Sequence, residues 1–239
     1  MAQQILLERK GAVAHVTFNR ARAGNPINDS MLTRLTGIMR DLGHEDDLRA
    51  VVLRGSGADF CTGRERGKAA SPTSAYVLHG KVMGRILAVY KTFRDCPVPI
   101  ISVVQGRALG FGCALVGGSD VAIAGQGATF SLPEMTHGTA PTLAMSALTK
   151  VGPKALADMI YSRDEIDADT ALAIGLVGRV VSNDALGDTV EAFLDRVREY
   201  DIPQIRAVKR FIATGLNLGP EATSDLAGYT LATLNTRPK

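Results

Sequence analysis

The chain has 239 residues, 46% of them apolar and 21% charged, which is the composition of an ordinary globular protein able to bury a substantial core. Its formal charge of +3 is small and its Lys and Arg residues are scattered, which speaks against nucleic acid or an anionic membrane as a partner. No apolar stretch reaches the roughly 18 residues of a membrane span. Cys61, Cys96 and Cys113 have no paired spacing, and His15, His44, His79 and His137 stand apart, so a cytoplasmic protein with reduced thiols and no metal is expected.

Residues 5–8 and 14–18 read as two strands joined at Lys10-Gly11 in a hairpin, with no signal-peptide pattern before them. Asn28 or Asp29 caps a helix whose apolar positions Met31, Leu32, Leu35, Ile38, Met39 and Leu42 keep a helical period. Short strands are predicted over 50–53 and 59–62, with Gly55-Ser56-Gly57 between them and Gly63 after them. Residues 64–74 are polar and rich in turn formers, and read as a mobile loop. A helix is predicted over 76–93, and the Pro97/Pro99 pair restarts a strand over 98–104. Strands over 121–124 and 128–131 flank a Gly125-Gln126-Gly127 turn. After Pro133 the pattern turns helical over 142–150, 153–160, 169–174, 185–200, 203–214 and 220–234, with one strand at 178–181. Such an order predicts a parallel-rich α/β core over 1–181 and a helical region over 182–239.

The densest signal lies in residues 96–120, where a β-branched strand runs into Gly106, Gly110 and Gly112 and then into the small apolar segment 113–116. A strand, a glycine bend and a helix start leave backbone N–H groups pointing outward at the positive end of a helix dipole. A second bend, Phe60-Cys61-Thr62-Gly63-Arg64-Glu65, also follows a predicted strand, so both bends are expected at one edge of one sheet. Two N–H groups converging from separate bends make an oxyanion hole. Phosphate binding is the competing reading, but neither bend carries the G-x-x-x-x-G-K-[ST] or dinucleotide fingerprint. Glycines that only permit tight turns and close packing are the plainer alternative.

Five segments belong together: Asn19-Arg20 with Asn25-Pro26-Ile27-Asn28, Phe60-Cys61-Thr62-Gly63, residues 97–120, Phe130-Ser131-Leu132-Pro133-Glu134, and the Ala-rich 168–177 segment ending Gly175-Leu176-Val177. In that order they resemble the crotonase (enoyl-CoA hydratase/isomerase) superfamily. Each is weak alone, and their shared order and spacing carry the resemblance. It implies a crotonase-like spiral of ββα units with a helical C-terminal trimerisation region, a homotrimer or dimer of trimers, and an acyl-CoA thioester substrate. No cofactor is implied beyond the coenzyme A of that substrate. By position, the backbone N–H groups of Arg64 and Phe111 would hold the thioester oxygen, with Thr62, Gly63 and Gly110 beside them and Lys68 a candidate for the CoA phosphates.

The departures from the family pattern bear on the reaction. Of the two glutamates that hydratases carry, the first falls on Ala114 and the second is kept as Glu134. Phe111 and Arg64 replace the small residues usual at the two donors, Glu65 replaces an Asp, and the "EG…AF…KR" ending is not matched before Lys239. Apolar neighbours Leu132, Pro133 and Met135 suit Glu134 to moving a proton near neutral pH. His137 is a weaker proton carrier, Asp120 falls on a structural position, and Cys113 reads as core. The expectation is a lyase or isomerase of the enoyl-CoA hydratase or isomerase type, acting through an enolate with a single Glu acid/base. A CoA-ester-binding protein with little or no catalysis is the alternative, in which Phe111 turns its N–H away.

Overall fold

The computed structural model describes residues 3–65 and 74–237. Strand β1 (Ile5–Lys10) pairs antiparallel with β2 (Val13–Phe18), as the hairpin reading expects. Helix α1 (Asp29–Leu42) begins at Asn28, whose side chain accepts a hydrogen bond from Met31 N at 3.0 Å, and all six predicted apolar positions are buried. Strand β3 (Ala50–Gly55) follows, and then a helical arm of three parts. Helix α2 (Ala75–Leu78) runs through a π-helical turn, His79–Met83, into α3 (Gly84–Asp95), where the sequence predicts one uninterrupted helix.

The centre of the molecule is β4 (Ile100–Val104), buried at every position because it is covered on both faces. Short β5 (Arg107–Leu109) leads to α4 (Phe111–Gly118), followed by β6 (Val121–Gly125) and β7 (Thr129–Ser131). A 3-10 turn, Pro133–His137, precedes α5 (Thr142–Met145), α6 (Pro153–Ser162), β8 (Ile166–Asp167), α7 (Ala168–Ala173) and β9 (Arg179–Val181). Helices α8 (Leu186–Glu199), α9 (Ile202–Thr214) and α10 (Pro220–Thr236) complete the chain. The main sheet has the order β1-β2-β3-β4-β6-β9, parallel apart from the first hairpin, and β5-β7-β8 form a second sheet.

The second sheet corrects the sequence reading. Residues 59–62 form no strand; only Cys61 pairs, as an isolated parallel bridge to Ala108 in β5. The two glycine bends follow the parallel neighbours β3 and β4 and are joined through that bridge. The first is spliced directly onto the second. Strands β5 and β8 are too short for an alternation to register, and the helix predicted over 142–150 stops at Met145. Residues 66–73 of the predicted loop, Lys68 among them, lie outside the described residues.

Asp120 does take a structural role. Its Oδ2 accepts from Ile100 N at 2.8 Å and pairs with Lys209 Nζ at 2.6 Å, and that ammonium also reaches Phe93 O at 3.1 Å. The contact ties α9 to the edge of the core, and the two side chains are only 12% and 5% exposed. Replacing one partner of such a pair strands a charge in the interior. Lys209→Met is expected to lower unfolding free energy by about 3–5 kcal/mol, measured by urea denaturation, whereas Lys91→Met at an exposed pair is expected to change it by under about 1 kcal/mol.

Candidate active site

Residues 61–65 are held between two neighbours. On one side Cys61 N donates to Arg107 O at 3.0 Å and Cys61 O accepts from Leu109 N at 2.9 Å. On the other, Ile27 N donates to Gly63 O at 2.9 Å and Glu65 N to Ile27 O at 2.8 Å. Thr62 adds its N–H and its hydroxyl, both donating to Gly24 O at 3.0 Å. With both of its neighbours' backbone groups used in this way, Arg64 keeps an N–H that has no backbone acceptor among the described residues.

Asn25 explains why its motif sits so far from the bend in sequence. Fully buried, it donates to Ser56 O at 2.8 Å and Asp59 O at 2.7 Å, and accepts from Arg20 N at 2.8 Å. Arg20 in turn pairs with Glu65 at 2.7 Å, and its guanidinium holds that carboxyl below the usual carboxylate range. Arg64 Nη2 reaches Asp29 Oδ1 at 2.6 Å while Arg85 Nη1 of α3 takes the other oxygen at 2.7 Å. The Arg64 hydrogen bond holds the Asp29 carboxyl below the usual carboxylate range. The first candidate donor is thus fixed to α1 and α3 through its side chain.

The second candidate donor, Phe111, is the first residue of α4, where the N–H has no helical acceptor. Gly110 before it has φ 53° and ψ −114°, a conformation that side chains disfavour. The turn is therefore made at Gly110, and Phe111 is not among the positive-φ residues. Phe111 is 5% exposed, and its ring stacks on Tyr90 with centroids 5.8 Å apart and planes at 23°. Its bulk is absorbed by that stack and not by a turned backbone. A methyl group on Gly112 would stand 2.1 Å from Cys61 O, so the splice of the two bends needs glycine there.

Glu134 is half-buried on the 3-10 turn after Pro133, and a methyl on Gly110 would stand 2.9 Å from its Oε1. Thr62, Gly63, Arg64, Gly110, Phe111 and Glu134 all line one pocket of about 460 Å³. His137 lines it too, from an exposed position. Ala114 is fully buried and does not line it, so no acid stands at that place on α4. Cys113 and Cys61 are fully buried; burial pushes the Cys61 thiol up to about 12 and the Cys113 thiol upward too, which leaves neither as a nucleophile. Sequence reasoning missed Tyr90, which lines the pocket beside Phe111. The spacing Leu78, Val82, Ile86, Tyr90 was the signal, and it reads equally well as core.

Comparisons with known proteins point to one family. The family model for enoyl-CoA hydratase/isomerase matches residues 8–227. A short-chain-enoyl-CoA hydratase of Clostridium acetobutylicum is 30% identical over 219 residues, covering 89% of this chain and 82% of its own. An (E)-benzylidenesuccinyl-CoA hydratase of Thauera aromatica is 29% identical over 221 residues, covering 90% and 84%. The crystal structure of an enoyl-CoA hydratase from Mycobacterium smegmatis superposes with a TM-score of 0.93 at 29% identity, covering 99% of this chain and 93% of that one.

Gly110→Ala is expected to affect the site twice, by forcing a side chain into the left-handed region and by pushing Glu134 aside. Unfolding free energy should fall by about 1–2 kcal/mol, and turnover of any acyl-CoA substrate should fall by a much larger factor, read from calorimetry and a coupled assay on one preparation.

Proposed function

The chain belongs to the enoyl-CoA hydratase/isomerase family, and on that footing we propose that it converts an acyl-CoA thioester through an enolate, as a lyase or isomerase of the enoyl-CoA hydratase or isomerase type. The observation that carries this reading is the meeting of Arg64, Phe111 and Glu134 in one pocket, with Glu134 packed over Gly110. In the proposed site the N–H groups of Arg64 and Phe111 hold the thioester oxygen. Negative charge gathers on that oxygen as the enolate forms, and each preorganised donor is worth roughly 3–4 kcal/mol at that point.

Glu134 then carries the protons. Adding water across a double bond needs one proton removed from water and one delivered to the α-carbon; shifting a double bond needs one removed and one returned. With Ala114 in place of the first glutamate, one carboxylate does both in succession. Thr62 takes a supporting part, since its hydroxyl proton is already given to Gly24 O. Coenzyme A is part of the substrate in this reading, and no further cofactor is called for. No helix among the described residues is long and apolar enough to cross a membrane.

The same reading makes residues 182–239 a helical region that joins subunits into a homotrimer or dimer of trimers. Val208 and Ile212 of α9 and Tyr229 and Leu231 of α10 are exposed, and exposed apolar side chains on adjacent helices suit an interface between copies. Light scattering of the purified protein should give three or six times the mass of 25.3 kDa, and a monomer at micromolar concentration would remove this part of the proposal.

Assays with crotonyl-CoA and with a 3-enoyl-CoA sort hydration from isomerisation. Glu134→Gln is expected to lower whichever activity is present by about 100-fold or more, with little change in KM. An unchanged rate would mean that another group moves the proton.

A further inference from the structure

Tyr90 lines the pocket and has no task in the reaction proposed above. Leu78, Val82, Ile86 and Tyr90 recur at every fourth residue and all line the pocket. An α-helix turns once in about 3.6 residues, so such a stripe drifts around it. The wider π turn at His79–Met83 offsets that drift and keeps the four side chains on one wall. The wall deepens along its length, from half-buried Leu78 and Val82 to 7% exposed at Ile86 and 3% at Tyr90. Tyr90 is the inner end of an otherwise apolar stripe.

Its position is well fixed. The ring stacks on Phe111, the residue whose N–H is the second candidate donor. Burial first, and the neighbouring Glu134 charge next, push the phenol's pKa upward, so the hydroxyl stays protonated and acts as a donor, never as a base. Tyr90 also borders a second cavity, but of the two Glu134 lines only the first, which places the phenol's electrostatic partner on the reaction side. A buried phenol keeps a hydrogen-bond partner or costs stability, and a pocket oxygen meets that need.

We propose that Tyr90 works beside Glu134 in the reaction chamber, its hydroxyl donating a hydrogen bond to the oxygen at the β-carbon of the acyl group during hydration. This rests on the reading of Glu134, Arg64 and Phe111 given above. The water oxygen bonds to C3 of the enoyl group as Glu134 takes a proton from that water, and the C2–C3 π electrons pass into the thioester as the enolate. Glu134 then returns the proton to C2. Water is added, nothing is oxidised or reduced, and Tyr90 gives up no proton. In the reverse direction the same hydrogen bond steadies the departing hydroxyl. A neutral donor on α3 thereby does the water-holding work that Ala114 on α4 is unable to do.

Tyr90→Phe keeps the ring and its stack on Phe111 and removes only the hydroxyl. Two assays on one preparation read the result: hydration of crotonyl-CoA, and exchange of the α-protons of butyryl-CoA with D2O, which uses Glu134 and the N–H pair but no β-oxygen. Tyr90→Phe is expected to lower kcat for hydration by about 10- to 100-fold, with KM and the exchange rate within about twofold of wild type. Glu134→Gln is expected to lower both activities by about 100-fold or more. Hydration by Tyr90→Phe at the wild-type rate overturns the proposal. So does an equal loss in both assays, which would mark the hydroxyl as a support for the stack, and so does a wild-type protein that exchanges but does not hydrate. Exchange that survives Glu134→Gln overturns the underlying reading, and the proposal with it.

Discussion

Two hydrogen bonds, Cys61 N to Arg107 O and Leu109 N to Cys61 O, join the bend after β3 to the strand before α4. Everything in the pocket depends on that splice. It sets the distance between two backbone segments that come from different βα units, and it does so through groups that no side-chain substitution removes. The splice is tight enough that a methyl on Gly112 would meet Cys61 O at 2.1 Å. Around it, Asp59 clamps Arg107 through two side-chain hydrogen bonds of 2.9 and 2.8 Å and accepts the Arg107 N–H at 3.0 Å. Asn25 ties the far side of the same bend to the start of α1.

A site built this way is preorganised. In the proposed reading the donors at Arg64 and Phe111 need no rearrangement, because hydrogen bonds of their neighbours hold the flanking backbone. Substituting the donor side chains leaves the backbone groups in place, which is how Arg and Phe stand where the family usually has small residues. Those side chains have been given other work. Arg64 anchors the bend to Asp29, and Phe111 fills the space against Tyr90.

Much of this was legible in the sequence, for physical reasons that differ by element. Helix α1 was readable because its apolar period and its Asn28 cap are local features. The central strand β4 was readable because Pro97 and Pro99 precede a short apolar run rich in β-branched Ile and Val. The candidate donors and Glu134 came from the resemblance in motif order, and all of them line one pocket. What was not legible is what depends on distant partners. Strand β5 has three residues, Arg107-Ala108-Leu109, and becomes a strand only by pairing with Thr129–Ser131 and Cys61. Residues 59–62 look like a strand from their own composition, yet only Cys61 finds a partner. Tyr90 was hidden for a related reason: a helical stripe faces core or cavity with the same spacing, and only the fold tells the two apart.

The central claim is that the splice presents two N–H groups to one thioester oxygen. Infrared difference spectroscopy of a bound, carbonyl-13C-labelled acyl-CoA tests it without relying on turnover. The expected result is a thioester C=O stretch displaced to lower frequency than in solution, because two donors polarise the carbonyl, and a displacement that persists in Glu134→Gln. A labelled ligand that binds with its carbonyl stretch at the solution frequency would contradict it.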